Sequence, residues 1–317
     1  MKKFAFINKS YSKDLHYSQS LYKAWKKHYK GESPYYVICP KNDYHLFADA
    51  FSDASEVQVM VEEELAISHK LNLEEYQKLR GWESQQIIKM IAGFEMHLEN
   101  YITMDSDAIF VKDFNDNIFF SNGILKTICA KKPNKGHVRK EIDDIFREGI
   151  ALPKKFEFIN FISAFFLWNT KVLQDLEIYI KKTNLRDFID MIKHSPWETS
   201  WYGKFIYLFF PEKLIKFDNP TLVIYYNSSS TKTIPLVYLE FCERLNSSYL
   251  MAALQAPQEK RCEITLLEIL EKYDKIKPIT FVKNLIYFIS ILFPNKNKRH
   301  AARSKLSDFY LNYLTKK

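Results

Sequence analysis

Glycine is scarce in this chain. Only seven glycines occur among 317 residues, and neither Gly-x-Gly-x-x-Gly nor Gly-x-x-x-x-Gly-Lys-Ser/Thr is present. These two patterns bring backbone N–H groups close to phosphate oxygens, so their absence excludes the Rossmann dinucleotide fingerprint and the P-loop. If the protein binds phosphate groups, it must do so through side chains and metal ions.

Cysteines are few and far apart. No Cys-x-x-Cys spacing occurs, which argues against a zinc knuckle and a disulfide framework and favours reduced, buried thiols. The four cysteines are Cys39, Cys129, Cys242 and Cys262. The apolar run at residues 4–7 is far shorter than the signal-peptide core of about seven to fifteen residues. We therefore expect a cytoplasmic protein.

Patterns of nucleic-acid-binding modules are also missing. The formal net charge is +8, but no helix-turn-helix, RNP sequence or zinc module is recognisable, so we expect no nucleic-acid partner. With 47% hydrophobic residues, the chain is long enough to bury a substantial core. The composition predicts a soluble enzyme of ordinary size.

Strands and helices alternate along the first part of the sequence. The spacing of the apolar residues predicts strands at 3–8, 35–40, 57–60 and 101–104. It also predicts helices at 14–29, from Asp43, and from Gly81 to a point before Asn100. This alternation favours an α/β fold with a mostly parallel sheet flanked by helices. Ligands of such folds bind beyond the carboxyl ends of the strands.

Two carboxylates lie at one of these strand ends. Asp105-Ser106-Asp107 separates the apolar runs 101–104 and 108–111. Carboxylate oxygens are ligands for hard divalent cations such as Mg²⁺ or Mn²⁺, and the cation can also bind the oxygens of a diphosphate. The pattern predicts a metal site formed by Asp105 and Asp107, although an exposed turn can carry the same sequence.

The preceding helix carries a second motif. Gly-Trp-x-x-Gln-Gln-x-x-Lys at 81–89, followed by Asp105-Ser106-Asp107, resembles bacterial GT-A type glycosyltransferases of surface polysaccharide or lipopolysaccharide synthesis. The resemblance implies a GT-A, Rossmann-like fold, a divalent metal and a nucleotide-sugar donor. Donor contacts are then expected from Trp82, Gln85, Gln86, Lys89, Asp105, Ser106 and Asp107.

The first loop is the expected site of the donor base. In GT-A folds the end of the first strand lies beside the base, which implicates Ser10, Tyr11 and Asp14. Asp14 has the alternative role of capping the following helix, because Asp is favoured at the N-cap.

A later segment suggests the catalytic base. Residues 195–203 look like the family's Ser-x-x-Glu-x-x-x-Tyr-Gly segment, and Glu198 takes the place of the acidic residue that faces the acceptor hydroxyl. A carboxylate within hydrogen-bond reach removes the hydroxyl proton during attack. His194 is conceivable as a third metal ligand. The aromatic residues expected at the acceptor are Trp168, Trp197, Trp201 and Tyr202, with core packing as the alternative.

The end of the chain differs from the rest. An apolar run at 285–293 precedes Lys296, Lys298 and Arg299. Nine residues are too few to span a bilayer, which needs about twenty in a helix. The alternatives are an interfacial helix near anionic lipid at the inner leaflet and a buried terminal helix. We predict a catalytic domain at 1–265 and a helical region at 266–317.

The predicted function is metal-dependent transfer of a sugar to a hydroxyl of a glycan or lipid-linked acceptor, with inversion. A phosphatase of the haloacid-dehalogenase type also carries Asp-x-Asp after a strand, but its signature normally continues with Gly or Thr, where this chain has Ala108-Ile109. A non-catalytic membrane- or glycan-binding module is the other alternative.

Overall fold

The computed structural model describes most of the first 225 residues and parts of the remainder. The described residues are 4–129, 140–147, 161–225, 238, 241, 244–245, 248–255, 265–273, 301–302 and 305–306. The chain divides into two units. The first unit comprises Met1–Leu15, Tyr29–Ser106 and Phe114–Asn219, and the second comprises His16–His28, Asp107–Asp113 and Pro220–Lys317.

Strands and helices follow one another along the described chain. The strands are β1 (Phe6–Lys9), β2 (Tyr35–Cys39), β3 (Val57–Val61), β4 (Asn100–Met104), β5 (Ala108–Phe110), β6 (Phe120–Ser121), β7 (Ile124–Cys129), β8 (Phe165–Asn169), β9 (Ile215–Asp218), β10 (Thr221–Tyr225) and β11 (Met251–Gln255). The helices are α1 (Leu15–His28), α2 (Tyr44–Ala50), α3 (Glu62–Ser68), α4 (Leu73–Gln77), α5 (Gly81–Glu95), α6 (Lys140–Arg147), α7 (Thr170–Ile180), α8 (Phe188–His194), α9 (Glu198–Phe209) and α10 (Leu266–Tyr273).

The first unit is built on a five-stranded sheet in the order β3-β2-β1-β4-β8. The strands β1 to β4 pair in parallel, and β8 runs antiparallel to β4. Residues in β1, β2 and β4 are buried throughout, as expected for strands covered by protein on both faces. The predicted α/β class with a mostly parallel sheet is confirmed.

Close packing of α5 on β4 sets the position of the α5 side chains. A Cβ atom on Gly93 would lie 2.2 Å from the ring of Tyr101, so only glycine allows this approach. The Tyr101 hydroxyl donates to the backbone carbonyls of Lys89 and Met90 at 2.9 and 2.8 Å. These contacts hold the middle of the helix against the strand that ends at Met104.

The second unit has a small sheet of its own. Its strands pair in the order β10-β11-β5, with β10 and β11 parallel and β5 antiparallel to β11. Buried apolar side chains from β5, β10, β11 and α10 form its core. The Ser20 hydroxyl of α1 donates to Thr265 Oγ1 at 3.1 Å, which ties α1 to the residue that precedes α10.

Most predicted elements in the first half are present with small shifts at their ends. The strand β8 takes up only the last five residues of the apolar run at 161–169 and begins at Phe165, and the helices α3 and α4 were not predicted. The predicted domain boundary at residue 265 falls inside the second unit, and the apolar run at 285–293 lies outside the described residues. Within the described part of the chain, no helix is long and apolar enough to cross a bilayer.

Candidate functional site

Three predicted site residues from distant parts of the sequence meet at the end of β4. Lys89 lies on α5, Asp105 directly follows β4, and Glu198 is the first residue of α9. The Lys89 ammonium lies 2.8 Å from Asp105 Oδ1 and 3.7 Å from Glu198 Oε1. One cation is therefore shared by two carboxylates.

The Glu198 carboxyl is buried, with 6% of the residue exposed. Burial raises its pKa to about 7, while the Lys89 ammonium opposes that shift and the Asp105 carboxylate adds to it. Hydrogen bonds from backbone N–H groups at the start of α9 also lower the pKa. A carboxyl group that titrates near neutral pH is suited to proton transfer.

The first turns of α5 and the residue before α9 add an aromatic pair and an amide. The rings of Trp82 and Trp197 meet edge to face with their centroids 5.5 Å apart, and both residues are half-buried. Gln86 is 4% exposed, and its Oε1 atom has no hydrogen-bond partner among the described residues. Leaving a buried acceptor unsatisfied costs about 1–3 kcal/mol. Gln85 is half-buried.

A buried hydrogen-bond chain joins the ends of β1 and β4. Asn8 Nδ2 donates to the Met104 carbonyl and to Ser106 Oγ, each at 3.1 Å, and the Ser106 hydroxyl donates to Ser10 Oγ at 3.1 Å. These bonds fix the loop after β1 against the loop after β4. The predicted donor contacts of Ser10 and Ser106 remain predictions.

The other residues of the first loop lie around a short 3₁₀ helix, Ser12–Asp14. Tyr11 precedes this helix and is half-buried, and Asp14 is buried. Asp14 directly precedes α1, the position that its alternative role as a helix cap requires. Its predicted contact with the donor base remains a prediction.

The expectation of an aromatic acceptor platform is wrong for three of its four residues. Trp168, Trp201 and Tyr202 are fully buried. Trp168 Nε1 donates to Thr103 Oγ1 at 2.7 Å, Trp201 Nε1 donates to the Ser195 carbonyl at 2.9 Å, and the Tyr202 hydroxyl accepts from the Asn169 N–H at 2.7 Å. Their ring faces are covered by other core side chains, so they cannot stack on a sugar. Trp197 remains a candidate.

The two predicted metal ligands belong to different units. Asp105 is in the first unit with its side chain 29% exposed. Asp107 is half-buried in the second unit, where its backbone carbonyl accepts from the Leu254 N–H at 3.1 Å. Among the described residues, no three His, Cys, Asp or Glu side chains are grouped to hold a metal ion. His194 Nε2 lies 3.1 Å from the Glu141 carbonyl oxygen, so this ring nitrogen already has a polar neighbour.

Comparison with known sequences places the chain in a family. Residues 5–235, well over half of the chain, match the family of unknown function DUF6492. The chain belongs to DUF6492. No curated protein matches the sequence. The match covers Lys89, Asp105 and Glu198, so all three residues of the cluster lie within the region that matches the family.

Two solved structures resemble this DUF6492 fold at low sequence identity. Mouse xyloside xylosyltransferase 1 in its apo form has a TM-score of 0.46 and 10% identity, and the match covers 79% of this chain and 97% of that chain. The apo structure of the bifunctional glycosyltransferase WbbM has a TM-score of 0.48 and 8% identity, and the match covers 87% of this chain and 50% of that chain.

Sequence reasoning missed a buried ion pair beside the first loop of this DUF6492 protein. Lys9 at the end of β1 pairs with Glu62 Oε2 at 2.5 Å, and its ammonium also donates to the Ser10 carbonyl at 3.0 Å. Glu62 is the first residue after β3. The available signal was a charged residue at the end of one apolar segment, Lys9, and another directly after a second, Glu62. The pair holds the first loop at the carboxyl edge of the sheet.

Proposed function

We propose that this protein is a metal-dependent glycosyltransferase. It transfers a sugar from a nucleotide-sugar donor to a hydroxyl of a glycan or lipid-linked acceptor, in the synthesis of bacterial surface polysaccharide or lipopolysaccharide. The observation that carries the proposal is the convergence of Lys89, Asp105 and Glu198. They meet at the carboxyl end of a parallel sheet, where α/β proteins bind their ligands.

Glu198 is the proposed general base. A sugar hydroxyl is a weak nucleophile at neutral pH, so a carboxylate that accepts its proton during attack lowers the barrier. Burial raises the pKa of Glu198 to about 7. At neutral pH a large fraction of this carboxyl group is therefore ionised, and the ionised form is basic enough to accept a proton. A single displacement with the base on the acceptor side inverts the anomeric carbon.

Asp105 and Asp107 are the proposed ligands of Mn²⁺ or Mg²⁺. Their carboxylate oxygens are the donor type that both cations bind, and Asp105 is partly open to solvent. When bound, the metal supplies positive charge to the leaving diphosphate. Lys89 adds a second cation beside Asp105. Gln85, Gln86 and Ser106 complete the proposed donor site near the metal.

The donor base is proposed to lie beside the first loop, at Ser10, Tyr11 and Asp14. The hydrogen bond between Ser106 and Ser10 supports this assignment, because it places that loop next to the residue between the two proposed metal ligands. Trp82 and Trp197 are proposed to contact a sugar, since Trp197 directly precedes Glu198, Trp82 packs against Trp197, and both residues are half-buried.

We place the reaction in the cytoplasm, at the inner face of the membrane. This location follows from the proposed nucleotide-sugar donor and lipid-linked acceptor. The basic residues after the apolar run at 285–293 would favour anionic lipid by about 1 kcal/mol each near the surface.

A thermal-shift screen tests the donor and the metal together. A ligand that binds only the native state raises the melting temperature. We expect a UDP, GDP or CMP sugar to stabilise the protein more in the presence of Mn²⁺, and Asp107→Ala to lose the Mn²⁺ dependence. The matched control is Asp53→Ala, which removes an exposed carboxylate. The proposal fails if Asp107→Ala responds to donor and Mn²⁺ as the wild type does.

A further inference from the structure

The backbone of Ser10, at the start of the first loop, is fixed on both sides. Its N–H donates to the Ile38 carbonyl at 2.9 Å, and its carbonyl accepts from the Lys9 ammonium at 3.0 Å. The side chain is also engaged, because Ser10 Oγ accepts from the Ser106 hydroxyl at 3.1 Å. Ser10 is 2% exposed. The start of the loop is therefore held by contacts within the protein itself.

The ion pair between Lys9 and Glu62 spans one strand of the sheet. Lys9 ends β1 and Glu62 directly follows β3, and β2 lies between these two strands. The Lys9 ammonium lies 2.5 Å from Glu62 Oε2, and the two side chains are 6% and 9% exposed. Burial raises the pKa of the Cys39 thiol at the end of β2 to about 12, while Lys9 opposes this shift and Glu62 adds to it. The pair therefore lies close to the carboxyl end of β2.

Stability alone does not explain why this pair is charged. Replacing a buried ion pair by apolar residues of similar volume is often neutral or stabilising, because both charges have lost their hydration. An apolar side chain in place of Lys9 could not donate to the Ser10 carbonyl. Successive side chains of a strand point to opposite faces, and Asn8 donates to Ser106 Oγ. Lys9 and Asn8 thus hold the loop from opposite faces of the sheet.

A further contact holds the middle of the loop. The Ser12 N–H donates to Asp43 Oδ2 at 2.7 Å, and the half-buried Asp43 ends a short 3₁₀ helix after β2, Lys41–Asp43. Tyr11 lies between Ser10 and Ser12 and is half-buried. Aromatic rings stack on nucleobases, and a ring whose backbone is fixed in advance loses less conformational entropy on binding. Both neighbours of Tyr11 are fixed in this way.

We infer that Lys9, Glu62 and Asp43 position Tyr11 and the first loop for the base of the donor nucleotide. This assignment rests on the proposed glycosyltransferase function, in which the base lies beside this loop. The three positioning residues act through the loop and do not touch the reacting atoms. They should therefore set the affinity for the nucleotide, and they should not affect binding at the proposed metal site.

Calorimetry with the full chain and Mn²⁺ tests the inference with two probes. One probe is the nucleotide among UDP, GDP and CDP that the wild type binds most tightly, and the other is inorganic pyrophosphate. Pyrophosphate can bind the proposed metal site, but it has no base to contact the first loop. A variant whose loop is displaced should lose affinity for the nucleotide alone, whereas a general structural defect should weaken the binding of both probes.

The double variant Lys9→Met/Glu62→Met separates positioning from stability. Lys9→Met alone leaves a buried unpaired carboxylate and should lower the melting temperature, and adding Glu62→Met should restore it. Nucleotide affinity of the double variant should stay about tenfold or more below that of the wild type, because the loop must then be ordered on binding. The control Lys204→Met/Asp143→Leu removes another buried pair and should bind the nucleotide normally. If nucleotide affinity returns together with stability, or pyrophosphate affinity falls equally, the pair is not a positioning device.

Asp43 provides a second test, which applies even if the double variant does not fold. Asp43→Ala removes the acceptor of the Ser12 N–H and should weaken nucleotide binding while leaving pyrophosphate binding unchanged. Asp43→Asn keeps an acceptor oxygen on a side chain of the same size, so it should bind the nucleotide nearly as the wild type does. Equal nucleotide affinity in Asp43→Ala and Asp43→Asn would contradict the role of Asp43.

The two proposals fail separately. Nucleotide affinity that is unchanged in the Lys9, Glu62 and Asp43 variants would overturn the positioning roles alone. Nucleotide binding that depends on these residues, in a protein that transfers no sugar, would instead refute the transferase function and leave a nucleotide site at the first loop. A wild type that binds none of the three nucleotides would rule out both.

Discussion

Lys89 Nζ lies 3.7 Å from Glu198 Oε1 at the end of β4. The same ammonium group donates a hydrogen bond of 2.8 Å to Asp105, so it separates two carboxylates that would otherwise repel each other. Because α9 begins at Glu198 and α5 is pressed against β4 at Gly93, helix packing sets the distance between the proposed base and the proposed donor site.

Glu198→Gln should lower turnover about a hundredfold or more, the usual scale for loss of a general base, while the donor still binds. The base acts only when ionised, and its pKa is raised to about 7. Wild-type kcat/KM should therefore rise with pH through about 7 and fall below it, and the variant should lose this rise. The control is Glu212→Gln, an exposed glutamate. Unchanged transfer by Glu198→Gln would remove the residue from this role.

Lys89→Met should move the pH midpoint of kcat/KM upward. The Lys89 ammonium lowers the pKa of Glu198, whereas burial and the Asp105 carboxylate raise it, so removing the cation takes away one of the effects that hold this pKa down. Initial rates measured from pH 5.5 to 9 give the midpoint. Lys171→Met, which changes an exposed lysine on α7, should leave it in place. A downward shift in Lys89→Met would contradict the shared-cation arrangement.

Lys204→Met should destabilise the first unit strongly. Lys204 pairs with Asp143, and both side chains are almost completely buried. Removing one partner of a buried pair leaves an uncompensated charge and costs about 3–5 kcal/mol. Urea unfolding measures the loss. Lys181→Met breaks a pair on the surface with Glu177 and should cost at most about 1 kcal/mol. Equal losses in the free energy of unfolding of the two variants would show that burial does not determine how much an ion pair contributes to stability here.

Gly93→Ala should reduce both stability and activity. Its methyl group would meet the Tyr101 ring at 2.2 Å and Thr170 Oγ1 at 2.5 Å, and overpacking of this kind costs about 1–3 kcal/mol. Pushing α5 away from β4 would also move Lys89. Gly81→Ala, on the same helix with nothing within 4 Å of the new Cβ atom, should be neutral or stabilising by up to about 1 kcal/mol. Thermal unfolding of both variants would show the contrast.

The predictable part of the fold came from regular patterns. Alternating apolar strands and amphipathic helices indicated the parallel sheet, and the start of α5 at Gly81 was predicted correctly. The role of the aromatic residues was not predictable, because tryptophan and tyrosine combine an apolar ring with a polar group and suit both a core and a sugar-binding surface. Trp168 and Trp201 bond to internal oxygens instead.

The sequence by itself determined the α/β class and the strand-end position of Asp105, because apolar spacing is a local property of a chain, and Lys89 and Glu198 became candidates through the resemblance of their motifs to glycosyltransferases. Only the tertiary structure decided that these three side chains meet, that Lys9 pairs with Glu62, and that Tyr202 belongs to the core. Such contacts join residues far apart in the sequence, and their distances depend on how closely helices and strands pack.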